Sequence, residues 1–414
     1  MTVVFAIAHG PLFDIWGALI GILLTIFALG RGGRGSSSAP AGEVDLHPGA
    51  DRDEALAADW RSLAEERGNP FLTPEWFRCW SEVAEDREEP FVLVWRRDDE
   101  VRGVLPLTRS RRRLPKVLRF AGSPFADWLS PVCRPEDEAE MAADCALWLR
   151  SERRAWELLE LTRVDVEGAW PAALWQAPGG GLAPARPRRR EVLPFIRFGE
   201  GGFEEYLAGL SRNRRSQIGR KRRKLESEHG LSFAMTGIEG DLERDLETFF
   251  RLHEERWSDR GGSGALTPEW RQLHSRFAAA ALERGWLRLW TASLEGEPGA
   301  SWYGWRLGER YSFGLPGLSK GAEPLGLGTA LLVHTIEAAA EEGAGVYDLL
   351  LGGDAYKQRF ATGERHAESW VTGRRLHPAT LADAGLAGTV AAARSLPPGL
   401  REPAARVFRR VARR

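Results

Sequence analysis

Three short stretches of the chain bring together residue types that do chemistry. In Tyr347 to Phe360, a buried-looking strand over Val346 to Leu351 ends in Gly352-Gly353 and then delivers Asp354, Tyr356 and Lys357 within four residues. A carboxylate, a phenol and an ammonium held together can move protons and steady developing negative charge. Lys357 stands out because the chain has 52 arginines but only five lysines, Lys116, Lys221, Lys224, Lys320 and Lys357. Its compact ammonium is a different instrument from a planar guanidinium. Four of the five tyrosines also fall between Tyr303 and Tyr356. The second stretch is Gly326-Leu327-Gly328-Thr329-Ala330-Leu331-Leu332. Small residues where a loop enters a helix let backbone N–H groups approach a phosphate at the positive end of the helix dipole.

The third stretch is a helix expected from Ser211, a capping residue, to Gly230, a helix stop. Its apolar residues are only Ile218 and Leu225, whereas Arg212, Arg214, Arg215, Arg220, Lys221, Arg222, Arg223 and Lys224 make it positive all round. The chain supplies no acid there until Glu226, so self-repulsion disfavours an idle helix. The charge calls for an anionic partner: a phosphate-bearing substrate, a nucleic acid or lipid headgroups.

Several chemistries are excluded. Gly261-Gly262-Ser263-Gly264-Ala265 misses the last position of a hydrolase nucleophile elbow. There is no phosphate-binding Gly-Lys loop of the Walker kind, and Gly326-Leu327-Gly328 lacks the third glycine of a dinucleotide fingerprint. His253 and His274 have no companions at metal-ligand spacing and read as surface or structural histidines, so no metal is expected. Three cysteines in 414 residues, Cys79, Cys133 and Cys145, form no disulfide framework and match no zinc module.

The net charge of −1 hides an uneven distribution. The basic helix and a tail from Arg374 to Arg414, with nine basic and two acidic residues, leave an acidic body, which makes a general nucleic-acid coat unlike this chain. Residues 11–30 hold one charge, Asp14, over nearly the length of a spanning helix. Arg31 and Arg34 on the far flank would put the rest of the chain in the cytoplasm, anchored to the cytoplasmic face of a membrane. The competing reading is a start codon assigned too far upstream. The basic tail reads as a surface helix packing Val407, Phe408 and Val411, or else as an interfacial helix on anionic lipid.

The elements that must position these residues come in a mixed α/β order. In the first half, a strand at Glu43 to His47 precedes helices at Glu54 to Glu66 and Glu75 to Ala84. Next are strands at Phe91 to Arg96, Val101 to Thr108 and Val117 to Ala121, then a helix from Glu136 to Arg150 and a strand from Trp156 to Leu161. Pro178 to Arg190 reads as a loop-like boundary. Beyond it come a strand at Val192 to Arg197, a helix from Phe203, the basic helix, a strand at Ser232 to Met235 and helices at Leu242 to Trp257 and Pro268 to Arg284. Strands at Trp286 to Ser293, Ala300 to Leu307 and Arg310 to Gly314 lead to a helix reaching Glu342. The two halves share an order of elements without a close residue-level repeat.

At the level of phrases, the chain resembles the GNAT-superfamily acetyltransferases of the CelD/BioF2-like (cellulose-biosynthesis protein) family, related to FemAB-type peptidyltransferases. The phrases are Asn69 to Trp76, Gly103 to Leu107, Asp127 to Pro131, Leu210 to Leu225, Leu252 to Trp257, Gly326 to Leu332 and Asp348 to Phe360. The resemblance implies an α/β (α+β) fold of two tandem GNAT-like domains with mixed sheets flanked by helices. A degenerate domain would cover 43–190 and an acetyltransferase domain 191–375, with the apolar segment and linker at 1–42 and the basic tail at 376–414. It implies acetyl-CoA, or another acyl-CoA, as donor. The acceptor would be an amine or hydroxyl of an anionic small molecule or glycan, on a polysaccharide or cell-envelope precursor. The alternatives are FemAB-like transfer from aminoacyl-tRNA, the one case that brings in a nucleic acid, and a non-catalytic, membrane-associated accessory module of polysaccharide synthesis. Under the acyl-CoA reading, Gly326, Gly328 and Thr329 give backbone N–H groups to the donor pyrophosphate. Asp354 is the base or acceptor-orienting carboxylate, Tyr356 protonates the leaving thiolate, and Lys357 stabilises the oxyanion or an acceptor phosphate. Arg214, Arg215, Arg222 and Asp127 bind the acceptor. One departure is Glu323, a carboxylate where the GNAT pyrophosphate loop usually has Gln or Arg.

The lysine shortage makes the site testable. Lys357→Ala is expected to lower turnover in a steady-state assay while leaving the melting temperature nearly unchanged.

Overall fold

The computed structural model describes residues 40–373, 378 and 380, apart from 112–114, 124, 153, 167, 171, 173–185, 238–240 and 259–265. The apolar segment at 11–30 and the basic tail therefore lie outside the described residues. No helix among the described residues is long and apolar enough to cross a membrane.

The first half runs β1 (Glu43–Leu46), α1 (Glu54–Arg67), α2 (Pro74–Val83), β2 (Glu88–Arg97), β3 (Glu100–Ser110), β4 (Val117–Phe120), a two-residue β5 (Val132–Cys133), α3 (Glu138–Ser151) and β6 (Leu158–Asp165). After β7 (Arg186–Arg197), α4 (Gly202–Gly209) and α5 (Arg212–His229), the same order returns. It runs β8 (Ser232–Met235), α6 (Leu242–Trp257), α7 (Pro268–Glu283), β9 (Leu287–Leu294), β10 (Glu297–Leu307), β11 (Arg310–Leu318), α8 (Leu327–Glu341) and β12 (Val346–Asp348). The one-turn α9 (Ala355–Gln358) and β13 (Gly363–Gly373) close the described chain.

Local chemistry sets these boundaries. Asp53 caps α1 by accepting from Leu56 N–H at 3.0 Å, and Gly68 ends it in the left-handed conformation with φ 65°. Thr73 and Thr267 cap α2 and α7 through their hydroxyls, each followed by a proline in the first turn.

All strands join one mixed sheet in the order β1-β2-β3-β4-β6-β13-β7-β12-β11-β10-β9-β8, with β5 on β3. Each half contains one parallel pair, β4 with β6 and β11 with β12. Parallel neighbours need a crossover, and α3 and α8 supply it. The mixed α/β architecture expected from the order of elements is the one found. The last strand enters the middle of the sheet, where β13 pairs antiparallel with β6 on one side and β7 on the other. The halves also share apolar packing: the rings of Phe71 and Trp305 lie 5.4 Å apart, and those of Trp76 and Phe277 5.1 Å apart. All three cysteines are free and buried, and burial pushes the thiols of Cys79 and Cys133 up to about 12, which makes them poor nucleophiles.

Four expectations need correction, the first being the loop-like reading of Pro178 to Arg190, since from Arg186 onward this stretch is strand β7 paired with β13. The strand through Leu351 stops at Asp348, because Leu349 N–H turns to Pro194 O at 3.0 Å and Leu350 takes φ 53°. The third strand of the second half continues past Gly314 to Leu318. Sequence periodicity missed β13 altogether, because GERHAESWVTG carries charge where a central strand normally carries apolar residues.

The charge inside that strand has a partner. Asp348, with no solvent exposure, sits 3.2 Å from Arg310 Nη1 and also meets Arg365 of β13. Asp348→Asn would leave two half-buried guanidiniums without their counterion. It is expected to lower unfolding stability in urea by about 3 kcal/mol, the usual loss when one member of a buried ion pair is removed.

Candidate active site

A cleft of ≈ 340 Å³ opens where β11 and β12 part company. Their parallel pairing covers only Arg310 to Ser312 against Val346 to Asp348. Beyond Ser312, β11 has no strand partner on that side among the described residues, and Phe313, Pro316, Gly317 and Leu318 wall the cleft. Against β10, the register skips Gly314, a bulge that bends the strand at this point.

The start of α8 forms a second wall. Gly326 sits at its N-cap with φ 81°, a conformation that favours glycine, and Gly328 and Thr329 line the cleft beside it. The space above Gly326 belongs to a lysine. A Cβ built there would lie 3.1 Å from Lys221 Nζ.

Lys221 comes from α5, which presents Arg214, Gln217, Ile218 and Lys221 to the cleft at the spacing of one helix face. Two other cations of α5, Arg222 and Arg215, are bound to the protein. Arg222 lies 2.8 Å from Glu337 Oε2 of α8 and 3.0 Å from Glu226 Oε1, so a second helix supplies the counter-charge that the local sequence lacks. Arg215 Nη1 donates to Ala208 O at 2.6 Å and to Leu210 O, closing the end of α4. Arg215 and Arg222 thus brace the helix and do not line the cleft, whereas Arg214 does, donating also to Arg359 O.

The third wall is α9 and its surroundings. Tyr356, Arg359 and Phe360 line the cleft, with Arg256 of α6 and Trp302 of β10. Burial pushes the Tyr356 phenol up to about 12, so it holds its proton at neutral pH. Glu323 also lines the cleft, an acid among the cations Arg214, Lys221, Arg256 and Arg359.

Lys357 faces away from this cleft. Its side chain is buried, and Nζ donates to Leu351 O at 2.6 Å. Asp127, contributed by the first half, accepts from the N–H of the same Leu351 at 3.4 Å. One peptide loop therefore brings Asp127 and Lys357 together across 230 residues of sequence. Burial raises the Asp127 carboxyl and lowers the Lys357 ammonium, while their mutual attraction offsets part of each shift. Exposed Asp354 precedes α9. A Cβ at Gly352 would lie 3.4 Å from Asp354 Oδ2 and 3.6 Å from Lys357 Nζ, so both groups converge on that glycine. These contacts revise the stability expectation for Lys357→Ala. Removing an enclosed ammonium that bonds the loop lowers the melting temperature as well as turnover.

Sequence reasoning passed over Lys221, Arg256 and Arg359 as site residues. The lysine shortage that marks Lys357 marks Lys221 equally. Arg256 and Arg359 carried no signal in a chain so rich in arginine. Among the described residues, no group of three His, Cys, Asp or Glu side chains is placed to hold a metal. His253 Nδ1 lies 2.9 Å from Pro316 O, and burial lowers this imidazole to about 4; His274 is lowered to about 3.

Residues 212–358 match the model of the acetyltransferase (GNAT) domain, a span from the first residue of α5 to the last of α9. Among solved structures, FemX is 14% identical over 71% of this chain and 90% of its own, with a TM-score of 0.52. A conserved protein of unknown function from Bacteroides thetaiotaomicron is 11% identical over 80% of this chain and 100% of its own, with a TM-score of 0.50. L-PGS from Bacillus licheniformis is 12% identical over 80% and 95%, with a TM-score of 0.49. At these identities the first two likenesses concern the fold. No curated protein is similar enough in sequence to match.

The two buried histidines predict a pH dependence. A folded pKa below the ordinary ~6.5 means that the unfolded state binds more protons, so stability is full above ~6.5 and falls as the pH drops toward 4 and then 3. Urea titrations at pH 7 and pH 5 are expected to differ by up to about 2 kcal/mol per histidine, and His253→Gln should remove its share.

Proposed function

We propose that this chain, which carries a GNAT-like acetyltransferase domain, transfers an acetyl or other acyl group from acyl-CoA to an amine or hydroxyl of a polysaccharide or cell-envelope precursor. The observation that carries this reading is Lys221 over Gly326. An ammonium placed at the positive end of α8 repels the helix dipole, and a bound anion between them turns that repulsion into attraction. Arg214, Arg256 and Arg359 on the other walls extend the positive field along the cleft. Trp302, Phe313 and Leu331 add an apolar surface for an uncharged arm. A diphosphate joined to an uncharged thioester arm fits both features, and its thioester supplies the activated carbonyl.

The protein's own groups would work as follows. Gly328 offers its backbone N–H to phosphate oxygens, while the Gly326 and Thr329 N–H groups bond Glu323 O and Gly326 O at 3.0 Å and shape the junction, with Lys221 and Arg214 as counter-charges. Backbone N–H groups on the open edge of β11 meet negative charge developing on the carbonyl oxygen. Tyr356, protonated at neutral pH and within the cleft, gives its proton to the departing sulfur. Asp354 or Asp127 accepts the proton released by the acceptor, and Lys357 holds the loop between them through Leu351 O. Direct transfer requires no covalent intermediate on the enzyme, consistent with thiols that are all buried.

A second donor is worth testing because Arg212, Arg220 and Arg223 of α5 are exposed outside the cleft, where a longer polyanion such as aminoacyl-tRNA would reach them. Calorimetry separates the two. Saturable acetyl-CoA binding that Lys221→Ala weakens about tenfold or more, the worth of one charge-assisted hydrogen bond, supports acyl-CoA. Salt-sensitive tRNA binding without any acetyl-CoA heat would replace that reading with the aminoacyl one.

A further inference from the structure

A second cavity, of ≈ 190 Å³, lies between the halves of the protein. Its floor is aromatic. Phe71 comes from the first half and Trp270, His274, Tyr303 and Trp305 from the second, each at most 5% exposed. Its charged side chains are the half-buried Asp127 and Arg163. These carry opposite charges, and Arg163 Nε is already 3.1 Å from Glu191 Oε2, so the cavity lacks the excess positive charge of the cleft.

His274 adds a specific hydrogen-bonding demand. Its ring stacks on Trp270 at 3.8 Å, and Nδ1 lies 3.3 Å from the Tyr303 hydroxyl. That hydroxyl donates to His274 O, also at 3.3 Å, so it accepts from Nδ1–H and leaves Nε2 with a bare lone pair. Nε2 is buried and has no partner among the described residues. Such an atom costs about 1–3 kcal/mol until something donates to it. Burial keeps the imidazole neutral, which preserves that lone pair at physiological pH.

Ring faces, a lone-pair acceptor, a carboxylate and a guanidinium in one small space complement a molecule with apolar C–H faces and several hydroxyls on its rim. A quaternary cation would suit the aromatic faces, but Arg163 at the same cavity opposes it. A phosphate would meet Asp127. The location also fits, because β11 walls both spaces. Gly314 and Leu315 line this cavity, while Phe313, Pro316 and Gly317 line the cleft. We infer that this cavity is the acceptor subsite and takes a single sugar ring, held between the aromatic floor and Asp127 with a hydroxyl or amine directed toward the cleft. The inference rests on the acyl-transfer reading above.

The test is saturation-transfer NMR on the full chain with glucose and glucosamine as probes, and with tetramethylammonium and inorganic phosphate as competitors. Acetyl-CoA is titrated in parallel by calorimetry. Ring protons of both sugars should receive saturation, and neither competitor should displace them. Asp127→Asn and Trp270→Leu should each weaken the sugars about tenfold, the worth of a hydrogen bond or a stacked face, with acetyl-CoA affinity unchanged. If Trp270→Leu fails to fold, Asp127→Asn and the competitors decide. Absent saturation, displacement by tetramethylammonium or phosphate, or sugar binding indifferent to Asp127→Asn overturns the subsite. Acetyl-CoA binding would survive that result and keep the donor reading. Sugars bound without acetyl-CoA would overturn the donor reading and leave the subsite.

Discussion

A carboxylate with no solvent exposure holds the centre of this protein together. Asp348 ends β12, and its Oδ2 meets Arg310 of β11 and Arg365 of β13. Its other oxygen accepts from Leu350 N–H at 2.9 Å and so fixes the turn whose φ of 53° a leucine would otherwise avoid. Arg365 in turn lies over the ring of Trp128 from the first half, 4.0 Å from its centroid. One buried charge thus joins three strands, the strained loop and the other half of the chain. Burial pulls the Arg310 guanidinium downward, and the Asp348 charge acts in the opposite direction. Such an arrangement gains little net stability over an apolar core, yet it admits only one placement of its parts.

The loop hung from Asp348 serves both spaces around it. Leu351 offers its N–H to Asp127 and its carbonyl to Lys357, while α9 beyond it turns Tyr356 into the cleft. β11 divides the spaces. On one side the cleft is cationic and meets a helix N-terminus; on the other the cavity is aromatic and close to neutral. The two spaces therefore differ in electrostatic character although one strand walls both. The bulge at Gly314 and the early end of β12 open the cleft side of that strand.

Much of the scaffold was legible because local chemistry sets it. The strand Ser232 to Met235 and the helix Leu242 to Trp257 appear where periodicity and capping residues place them. The helix α5 also begins after Ser211 and ends before Gly230, as its caps require. Strand β13 was illegible for an equally physical reason. Its residues Arg365, His366 and Glu368 look solvated, and only their partners, Asp348 for Arg365 and Arg190 for Glu368, make a central position tolerable. A partner distant in sequence leaves no mark on local periodicity.

The sequence by itself determined the order of elements, the capped ends of the helices, the glycine junction at Gly326 and the presence of a strongly basic helix. Those arise from backbone preference and the spacing of side chains a few residues apart. Tertiary structure alone decided which cations of that helix face the cleft. Arg214 and Lys221 turn toward the cleft, while Glu337 and the end of α4 claim Arg222 and Arg215. It also decided that Asp127 and Lys357 share Leu351, and that His274 joins Phe71 and Trp305 around one cavity. Charge and residue type are properties of a position in the chain, but a partner is a property of the packing. Only the folded sheet, with β13 set between β6 and β7, brings those partners within reach.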